Sequence, residues 1–552
     1  MTGIVVRASE RVIAAEFFEL LKTPWEFFQT GKQYDVLICT SEELPCEAAP
    51  LSLVFGGEQM PFDSEQKKQV RPHAGGFVLS DEGKRLPIYG TVASFSGNSN
   101  SLLTLEGTNE PAAYVSRCGG ATVLRIGYNL FSEVRFLLTE GQPTENSVIP
   151  TLDEHIACLR GWITLAGIPL VEVPPVPVGY KFMACLTHDL DHPVMRNHWC
   201  DHTMYGFLYR ATIGTLRDVF RRRKSLGSLR KNLEAVCLLP FVHLGLAKDF
   251  WRGFDRYLEM VEVPGSTFFV IPRSDYAGRT SEGPAPSLRR CRYEVDQLAP
   301  QLRRIVAAGG EIGLHGLDAW LDNDEGRKER EIVSRAVGVS IRGVRMHWLF
   351  FDSNSPAALD QAGFDYDTTV GYRETVGYRA GTAQAYKPPG ATKLLELPLH
   401  VMDTALFYSS YLRLREQEAE GLVWRLMDDA ERSGGALTIN WHDRSIAPDR
   451  LWEDFYLKML RELRSRGAWL PTSSKAVAWF RSRRAAVIES ARSPGGALRV
   501  QGRAKTSEEV PGLQIRIHKP RAQSLAEATA SRKRAEFVDV PFAGTTELNL
   551  AI

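Results

Sequence analysis

The segment that decides the fold is FMACLTHDLDH, residues 182–192. Its first six residues are apolar or small enough to be buried on both faces, which is typical of a strand inside a parallel sheet. The next five include two histidines and two aspartates, so the strand ends abruptly in ionisable side chains. In α/β proteins, functional side chains gather where the strands end. The segment therefore predicts a buried strand that delivers His188, Asp189, Asp191 and His192 to a site.

Similar strands recur downstream and alternate with helices. Strands are predicted at residues 267–271, 311–315, 394–399 and 436–441, and helices at 293–308, 355–362, 416–433 and 451–466. This alternation is typical of a parallel α/β sheet or barrel. A helical insertion at about 195–260 separates the first two strands. We therefore predict an α/β domain over residues 179–490.

Two further parts flank this domain. Strands are predicted in the first part at 34–38, 102–105, 121–126 and 134–138, and helices at 16–22 and 152–166. Residues 1–178 are therefore expected to form an N-terminal α+β accessory domain. The stretch VEVPPVPV, residues 171–178, marks its end because proline restricts the backbone and removes a hydrogen-bond donor. Residues 491–552 contain two alternating apolar segments, which predict a small β-rich C-terminal module.

Composition excludes several classes of protein. The 552 residues are 44% hydrophobic with a net charge of +1, which fits a globular protein and gives no reason to expect a nucleic-acid partner. The N-terminal residues are too often charged for a signal peptide, and no run of about 18 apolar residues is present to span a membrane. We therefore expect a cytoplasmic protein. The eight cysteines are scattered without a C-x-x-C pair, which predicts buried or free thiols.

Several predicted strands end in side chains that bind metals or transfer protons. Besides Asp189 and Asp191, these are His315, His347 and His442. Each such residue alone is more often structural, but convergence from four strand ends favours a shared site. One aspartate and two histidines suit zinc, and also iron, cobalt or manganese with open coordination positions. A second carboxylate as base and a protonated histidine as acid suit hydrolysis of an amide or ester.

The segment LTHDLD, residues 186–191, resembles the first motif of polysaccharide deacetylases, the NodB-type carbohydrate esterases of family 4. In that family an apolar strand ends in two aspartates. The spaced Asp-x-Asp of this chain is similar to the variant in some members, whereas the usual pair is adjacent. The resemblance implies that Asp189 is the catalytic base and that Asp191 binds the metal.

The segment EIGLH, residues 311–315, resembles the second motif of the same family, whose first histidine is a metal ligand. By this resemblance His315 is the second ligand. The usual second histidine of the motif falls at position 319, where this chain has alanine. We therefore assign the third ligand to His347, with Asp318 as the alternative.

Later segments also resemble the family, roughly over residues 180 to 480. RMHWL at 345–349 is similar to the arginine motif, GFDYDTT at 363–369 to the segment that follows it, and GYRAGT at 377–382 to an element of a long exopolysaccharide-associated branch. The resemblance implies that Arg345 orients the base and that His442 is the general acid. It further assigns substrate binding to Arg379, Asp367 and Trp441. His188 and His192 are expected to orient the two aspartates.

The resemblance implies a fold and an activity. The fold is a distorted (β/α) barrel of seven or fewer strands, and the activity is metal-dependent, most simply zinc-dependent, removal of acetyl groups from amino sugars. The substrate is a polysaccharide or a lipid-linked glycan in surface or exopolysaccharide synthesis. Two alternatives stay open. The departure at position 319 leaves open a catalytically inactive glycan-binding barrel in an assembly complex. The other alternative keeps the metal and is an amidohydrolase acting on another C–N bond.

The helical insertion carries an unusual mixture of residues. Eight basic residues lie within 210–231, and the apolar run AVCLLPFVHLGLA follows at 235–247. The run is too short and too interrupted by proline to span a bilayer. Basic residues beside apolar ones are typical of segments that lie on an anionic membrane surface. Two interpretations of residues 210–247 stay open: peripheral membrane contact, and a solvated helical lid.

Overall fold

The computed structural model describes nine stretches of the chain. They are residues 1–81, 84–96, 101–251, 256–257, 265–492, 498–504, 509–521, 536–542 and 544–550. The chain contacts divide it into two compact units. Unit 1 comprises residues 1–179, 378–389 and 478–552, and unit 2 comprises 180–377 and 390–477. The end of the predicted insertion, 258–260, lies outside the described residues.

Unit 2 is built on a nine-stranded parallel sheet. In chain order its strands are β1 (Phe182–Leu190), β2 (Ser266–Val270), β3 (Glu311–Gly316), β4 (Gly343–Met346), β5 (Tyr366–Asp367), β6 (Leu395–Glu396), β7 (Leu399–Met402), β8 (Ala436–Asn440) and β9 (Ala468–Trp469). Their order across the sheet is β6-β5-β4-β3-β2-β1-β8-β7, with β9 beside the start of β1. The predicted α/β class is confirmed.

The central strand of this sheet is β1, which contains most of the segment 182–192. All nine residues of β1 are buried, and β1 pairs with β2 on one side and β8 on the other. Every neighbouring pair in the ladder is parallel, so the carboxyl ends of β1, β3, β4, β7 and β8 lie at one edge. The sheet has nine strands rather than seven or fewer because three of them contain only two residues each.

Helices connect the strands of unit 2. Their bounds are His202–Tyr209, Thr215–Phe220, Leu226–His243, Val295–Ala307, Asn323–Val337, Ser355–Gln361, Asp403–Phe407, Glu416–Ser433 and Glu453–Ser465, with a π-helical turn at Arg210–Gly214. The 323–337 helix shows clear end signals: the Asp322 side chain accepts a hydrogen bond from the Asp324 amide, and Gly338 closes the helix with φ 85°. Among the described residues, no helix has both the length and the hydropathy needed to cross a bilayer.

Unit 1 contains a six-stranded sheet. In spatial order its strands are Ala113–Cys118, Ala121–Ile126, Leu51–Phe55, Val36–Cys39, Thr2–Val5 and Trp25–Phe27. Short strands lie at Val70–His73, Phe77–Asp81, Lys84–Ile88, Val92–Phe95 and Thr104–Leu105, and helices at Arg11–Leu21, Pro61–Glu65, Leu130–Thr139 and Thr151–Leu165. Most neighbours in the six-stranded sheet are parallel, and the 113–118 strand is antiparallel.

Two sequence-based expectations for unit 1 are wrong. Residues 134–138 lie in a helix rather than a strand, because the Asn129 side chain caps the amides of Phe131 and Ser132 and the apolar residues repeat at helical spacing. Cys46 and Cys118 form a disulfide rather than two free thiols, because the fold of unit 1 brings the 3-10 turn that begins at Cys46 next to the end of strand Ala113–Cys118. The other six cysteines are free, as expected.

The C-terminal strands belong to unit 1. Strand Leu513–His518 pairs antiparallel with Leu170–Glu172 and with Phe537–Phe542, and a second small sheet contains Val487–Arg492, Leu498–Ala504 and Gly544–Leu550. The helix Ser473–Ala485 leads into them. The contacts therefore join these strands to residues 1–179 rather than isolating them, and the three-part division of the chain stays a prediction.

Candidate metal centre and active site

Three of the residues singled out in the sequence lie together at the carboxyl edge of the unit 2 sheet. Asp191 follows β1, His315 lies near the end of β3 and His347 follows β4. Their ligand-type atoms all lie within 4.8 Å of one another. The nearest approaches run from Asp191 Oδ1 to His315 Nε2, 3.3 Å, and to His347 Nε2, 3.6 Å. The spacing suits a single cation among the three side chains.

The chemistry of this cluster fits a divalent metal. His315 Nδ1 lies 2.9 Å from the Arg345 carbonyl and donates to it, which aims Nε2 at Asp191. Burial lowers the pKa of His347 well below its usual value, so this imidazole is neutral. Asp191 Oδ1 and His347 Nδ1 are buried and have no hydrogen-bond partner among the described residues. Two imidazoles and a carboxylate with a free oxygen are the donor groups that a zinc-type ion prefers.

Asp189 lies beside this cluster and is held from two sides. Arg345 Nη1 donates to Asp189 Oδ1 at 2.9 Å, and Asn440 Nδ2 donates to Oδ2 at 2.7 Å. Arg345 itself is fully buried and also bonds Thr187 Oγ1 and the Thr368 carbonyl. The buried guanidinium supplies the charge that a buried carboxylate needs. The result is an oriented carboxylate 3.7 Å from His315 Nε2.

His442 faces the cluster from the end of β8. Its Nδ1 donates to Asp403 Oδ1 at 2.6 Å, and its backbone amide donates to Asp403 Oδ2 at 2.7 Å. Burial acts to lower the pKa of His442, but the Asp403 carboxylate outweighs burial and raises that pKa to about 10. The Nε2 atom lies 3.8 Å from Asp191 Oδ2. This arrangement presents a protonated imidazole to the same space as Asp189 and the metal ligands.

Asp318, the alternative third ligand, lies apart from this cluster. Its carboxylate accepts hydrogen bonds from Tyr276 Oη at 2.5 Å, from the Arg279 amide at 2.7 Å and from Arg279 Nε at 3.2 Å. All of these partners lie in the segment that follows β2. The three side chains whose ligand atoms lie within 4.8 Å of one another include His347 and not Asp318. The geometry therefore favours His347 as the third ligand.

The three residues assigned to substrate binding lie in different surroundings. Trp441 has no exposed side-chain surface and stacks on Phe455, with ring centroids 5.8 Å apart. Asp367 is buried in β5 and accepts a hydrogen bond from Thr369 Oγ1. Arg379 belongs to unit 1, where its carbonyl accepts a hydrogen bond from the Gln142 amide. Contact of these residues with a substrate stays a prediction, and burial speaks against direct contact for Trp441.

Of the two flanking histidines, His188 is buried and His192 is half-buried. His188 Nδ1 bonds the Trp441 carbonyl at 2.8 Å, and its ring packs against Tyr257 and Phe268. Burial lowers the pKa of His188 to about 4, so it is neutral. The His192 amide donates to Asp443 Oδ2 at 3.0 Å. These contacts fix the backbone on both sides of the Asp189–Asp191 segment rather than touching the two carboxylates.

Sequence reasoning missed two residues of this site, Asp403 and Asn440. Asn440 had a signal, because it lies two positions before His442 at the end of the same strand and so faces the same side. Asp403 had none that stood out, because it begins a short helix after β7, 39 residues before the histidine it pairs with. The structure alone joins the two.

Comparisons with known proteins give similarity in structure only. No family model matches the sequence, and no curated protein does. Among solved structures, a protein from Mycobacterium smegmatis described as a polysaccharide deacetylase matches with 20% identity and a TM-score of 0.36, covering 56% of this chain and 95% of the other. The chain is similar in structure to polysaccharide deacetylases.

Two other solved structures are also similar to this chain. Puue allantoinase matches with 14% identity and a TM-score of 0.32, covering 55% of this chain and 92% of that one. A family 4 acetyl xylan esterase from Clostridium thermocellum, in complex with a cobalt ion, matches with 15% identity and a TM-score of 0.23, covering 54% and 91%. At such identities and scores these likenesses carry no argument about chemistry, which has to be derived from the residues themselves.

Proposed function

We propose that the protein is a metal-dependent hydrolase that removes acetyl groups from amino sugars of a glycan. The observation that carries the proposal is the convergence of five side chains at one sheet edge. Asp191, His315 and His347 form a ligand set, and Asp189 and His442 flank it with opposite charges. The motif resemblance to polysaccharide deacetylases points the same way.

The residues divide the chemistry of amide hydrolysis between them. A divalent ion, when bound by the three ligands, supplies Lewis-acid polarisation and lowers the pKa of water. Asp189, oriented by Arg345 and Asn440, accepts the proton of the attacking water. His442, held protonated by Asp403, donates a proton to the leaving nitrogen of the sugar. The C–N bond breaks, and the products are acetate and a free amino sugar.

The two alternatives are weighed by different observations. A catalytically inactive glycan-binding barrel was suggested by Ala319, but a complete Asp-His-His set with a flanking carboxylate and imidazole does not depend on residue 319. An amidohydrolase for another C–N bond would use the same groups. Assays with acetylated amino sugars against cyclic amides and peptide amides separate this alternative from the proposal.

The proposal extends to the biological setting of the protein. We place the substrate in exopolysaccharide or surface-glycan synthesis, the metal as zinc, and the protein in the cytoplasm with peripheral membrane contact through residues 210–247. The Asp-His-His set suits zinc. The Cys46–Cys118 disulfide is more typical of an oxidising compartment, so it weighs against the cytoplasm.

The direct test is the substitution Asp189→Asn. Asparagine keeps the shape of the side chain but cannot take up a proton, so we expect bound metal at the level of the parent protein and at least a 100-fold loss of kcat on an acetylated amino-sugar oligomer. Asp365→Asn, which removes an exposed carboxylate near β5, is the matched control and should leave kcat unchanged. Hydrolysis retained in Asp189→Asn removes this residue from the role of base.

A further inference from the structure

Residues 202–243 form a helical hairpin in the connection between β1 and β2. One arm runs through 202–209, the π turn at 210–214 and 215–220, and the other arm is the 226–243 helix. One face of the hairpin is anchored in unit 2. Its buried residues Met204, Phe207, Ala211, Ala235, Leu239 and Val242 pack in one apolar cluster with Trp251 and Ala447, which lie outside the hairpin.

The opposite face of the first arm carries an exposed apolar stripe. The stripe repeats every three or four residues, which places its members on one side of the helix. Its members and their exposed fractions are Tyr205 57%, Tyr209 49%, Ile213 62%, Leu216 59% and Phe220 90%. Single exposed apolar residues are ordinary, but a continuous stripe marks an interaction surface.

The second arm continues this surface. Leu226, Leu233, Leu238 and Phe241 are exposed on the 226–243 helix, and Leu244 and Leu246 follow its end. Of the 20 large hydrophobic residues that are exposed in the described part of the chain, 12 lie between Trp199 and Leu246. The apolar exposure of the protein is thus concentrated on one hairpin.

The tip of the hairpin is strongly basic. Arg221, Arg222, Arg223 and Lys224 stand in sequence between Phe220 and Leu226, which are 90% and 74% exposed. Residues 202–247 contain eight Lys and Arg against two acidic residues, whereas the whole chain has a net charge of +1. Within the described residues, Arg221 and Arg222 make no ion pair. The charge of the tip is therefore available to a partner.

The combination of an exposed apolar stripe and a basic tip indicates which kind of surface covers the hairpin. A second copy of the chain would place two basic tips against each other in a twofold contact, which charge repulsion disfavours. An anionic bilayer matches both properties, because phosphate head groups attract arginine and lysine while Phe, Tyr and Leu enter the interface. The tip is anchored by its buried face, so docking requires no refolding of the hairpin.

We propose that the hairpin tip, residues 220–226, together with the exposed stripe 205–220, docks unit 2 onto an anionic phospholipid surface. Phe220 and Leu226 enter the acyl boundary, and Arg221 and Arg222 bind lipid phosphates. If the function proposed above is correct, the enzyme would then act on glycans held at the same membrane. That last clause rests on the proposed function, whereas docking itself does not.

Vesicle flotation of the full-length protein tests the docking. With vesicles of phosphatidylcholine and 30% phosphatidylglycerol, at about 50 mM salt, we expect most of the protein to float. Pure phosphatidylcholine vesicles, or about 500 mM salt, should reduce the floating fraction at least tenfold because the basic tip is screened. Protein that stays in the soluble fraction with the anionic vesicles at low salt overturns the proposal.

Paired variants show which residues act. Phe220→Ser with Leu226→Ser, and separately Arg221→Glu with Arg222→Glu, should each lower the floating fraction at least tenfold. The matched controls are Val12→Ser with Leu288→Ser, which are exposed apolar residues elsewhere, and Arg335→Glu with Arg461→Glu, which are exposed arginines elsewhere; both should float like the parent protein. Far-UV circular dichroism and thermal unfolding confirm that each variant is folded.

Two other results would overturn the proposal. Tip variants that float as well as the parent protein would remove the tip from the interaction. Dimers that form in the absence of lipid, and that the Phe220→Ser and Leu226→Ser pair abolishes in sedimentation velocity runs, would assign the surface to self-association. Flotation needs no turnover, so its failure leaves the deacetylase proposal standing, and loss of turnover in Asp189→Asn leaves the docking standing.

Discussion

The third ligand is the residue on which the proposed metal centre depends. His347 brings its Nε2 to 3.6 Å from Asp191 Oδ1, whereas Asp318 is bonded to Tyr276 and Arg279. We therefore expect His347→Ala to lose bound zinc almost completely, because two ligands hold zinc weakly. Asp318→Asn is the matched variant and should keep about one zinc per chain.

Elemental analysis after dialysis against a weak chelator measures this difference. Circular dichroism of both variants controls for folding, since His347 and Asp318 are both buried. Zinc retained by His347→Ala and lost by Asp318→Asn would reverse the assignment of the third ligand. Loss of zinc from neither variant would mean that the ion binds elsewhere.

Sequence reasoning identified those site residues that stand at the end of a predicted strand. Asp191, His315 and His347 each lie at or directly after the end of a strand, so topology alone brings them to one edge. Asp403 could not be found in this way, because its role depends on a 2.6 Å hydrogen bond with a histidine that follows another strand. Trp441 shows the opposite case: it adjoins a site residue in the chain, but its side chain is buried in the core.

One connecting segment illustrates what determines structure at the scale of elements. Residues 378–389 have no regular secondary structure and belong to unit 1. They are tied there by Asp153 in the first turn of helix Thr151–Leu165. Its carboxylate accepts hydrogen bonds from Thr382 Oγ1 at 2.8 Å, from the Ala383 amide at 3.3 Å and from Gln384 Nε2 at 3.3 Å.

This contact predicts a pH dependence of stability. Burial raises the pKa of Asp153 from its ordinary value of 3.8 to about 6, although the hydrogen bonds act to lower it. The folded state therefore binds the proton more tightly than the unfolded state does. Relative to Asp153→Asn, the parent protein should lose about 3 kcal/mol of its free energy of unfolding as the pH rises from about 4 to 6.

Urea unfolding of both proteins at pH 4, 5, 6 and 7 measures this difference. The control is Asp35→Asn, because the side chain of Asp35 is exposed. Asp81→Asn is less suitable, because the Asp81 carboxylate contacts Cys158. A constant difference between the parent protein and Asp153→Asn across this range would show that Asp153 is ionised in the folded protein throughout.

Elements with a complete local pattern were predicted well, and elements without one were not. The helix Glu416–Ser433 has the predicted bounds, because its apolar residues repeat at helical spacing and Gly434 ends it. Residues 134–138 were assigned to a strand because five residues show too little of a repeat to distinguish the two structures. Segment 378–389 has no periodic pattern, and only its tertiary contacts place it in unit 1.

At the scale of the whole molecule, the oxidation state of the cysteines distinguishes the cytoplasm from an oxidising compartment. With the Cys46–Cys118 disulfide formed, the denatured and unreduced protein should show six reactive thiols, and eight after reduction. Cys46→Ser should raise the unreduced count to seven, because Cys118 is released. Cys200→Ser, which changes a free and exposed cysteine, is the control and should lower it to five.

Thiol titration with a chromogenic disulfide reagent gives these counts. Eight thiols in unreduced protein purified from its own cell would show that the disulfide does not form there and would agree with the cytoplasmic prediction. Six would indicate an oxidising compartment. The sequence could not reveal this pairing, because 72 residues separate the two cysteines and their proximity depends on the fold of unit 1.

The division of the chain between the two units also bears on how the protein is made. Strand Leu170–Glu172 leaves the ribosome early, but its partner Leu513–His518 is translated some 340 residues later. At ~5–20 residues per second the early segment waits roughly 15 to 70 s for that partner. Val477, the last residue of unit 2, is translated about 36 residues before Leu513. Strand Leu170–Glu172 therefore stays without its native partner until after unit 2 has been translated, and its open edge can pair with other strands during that interval.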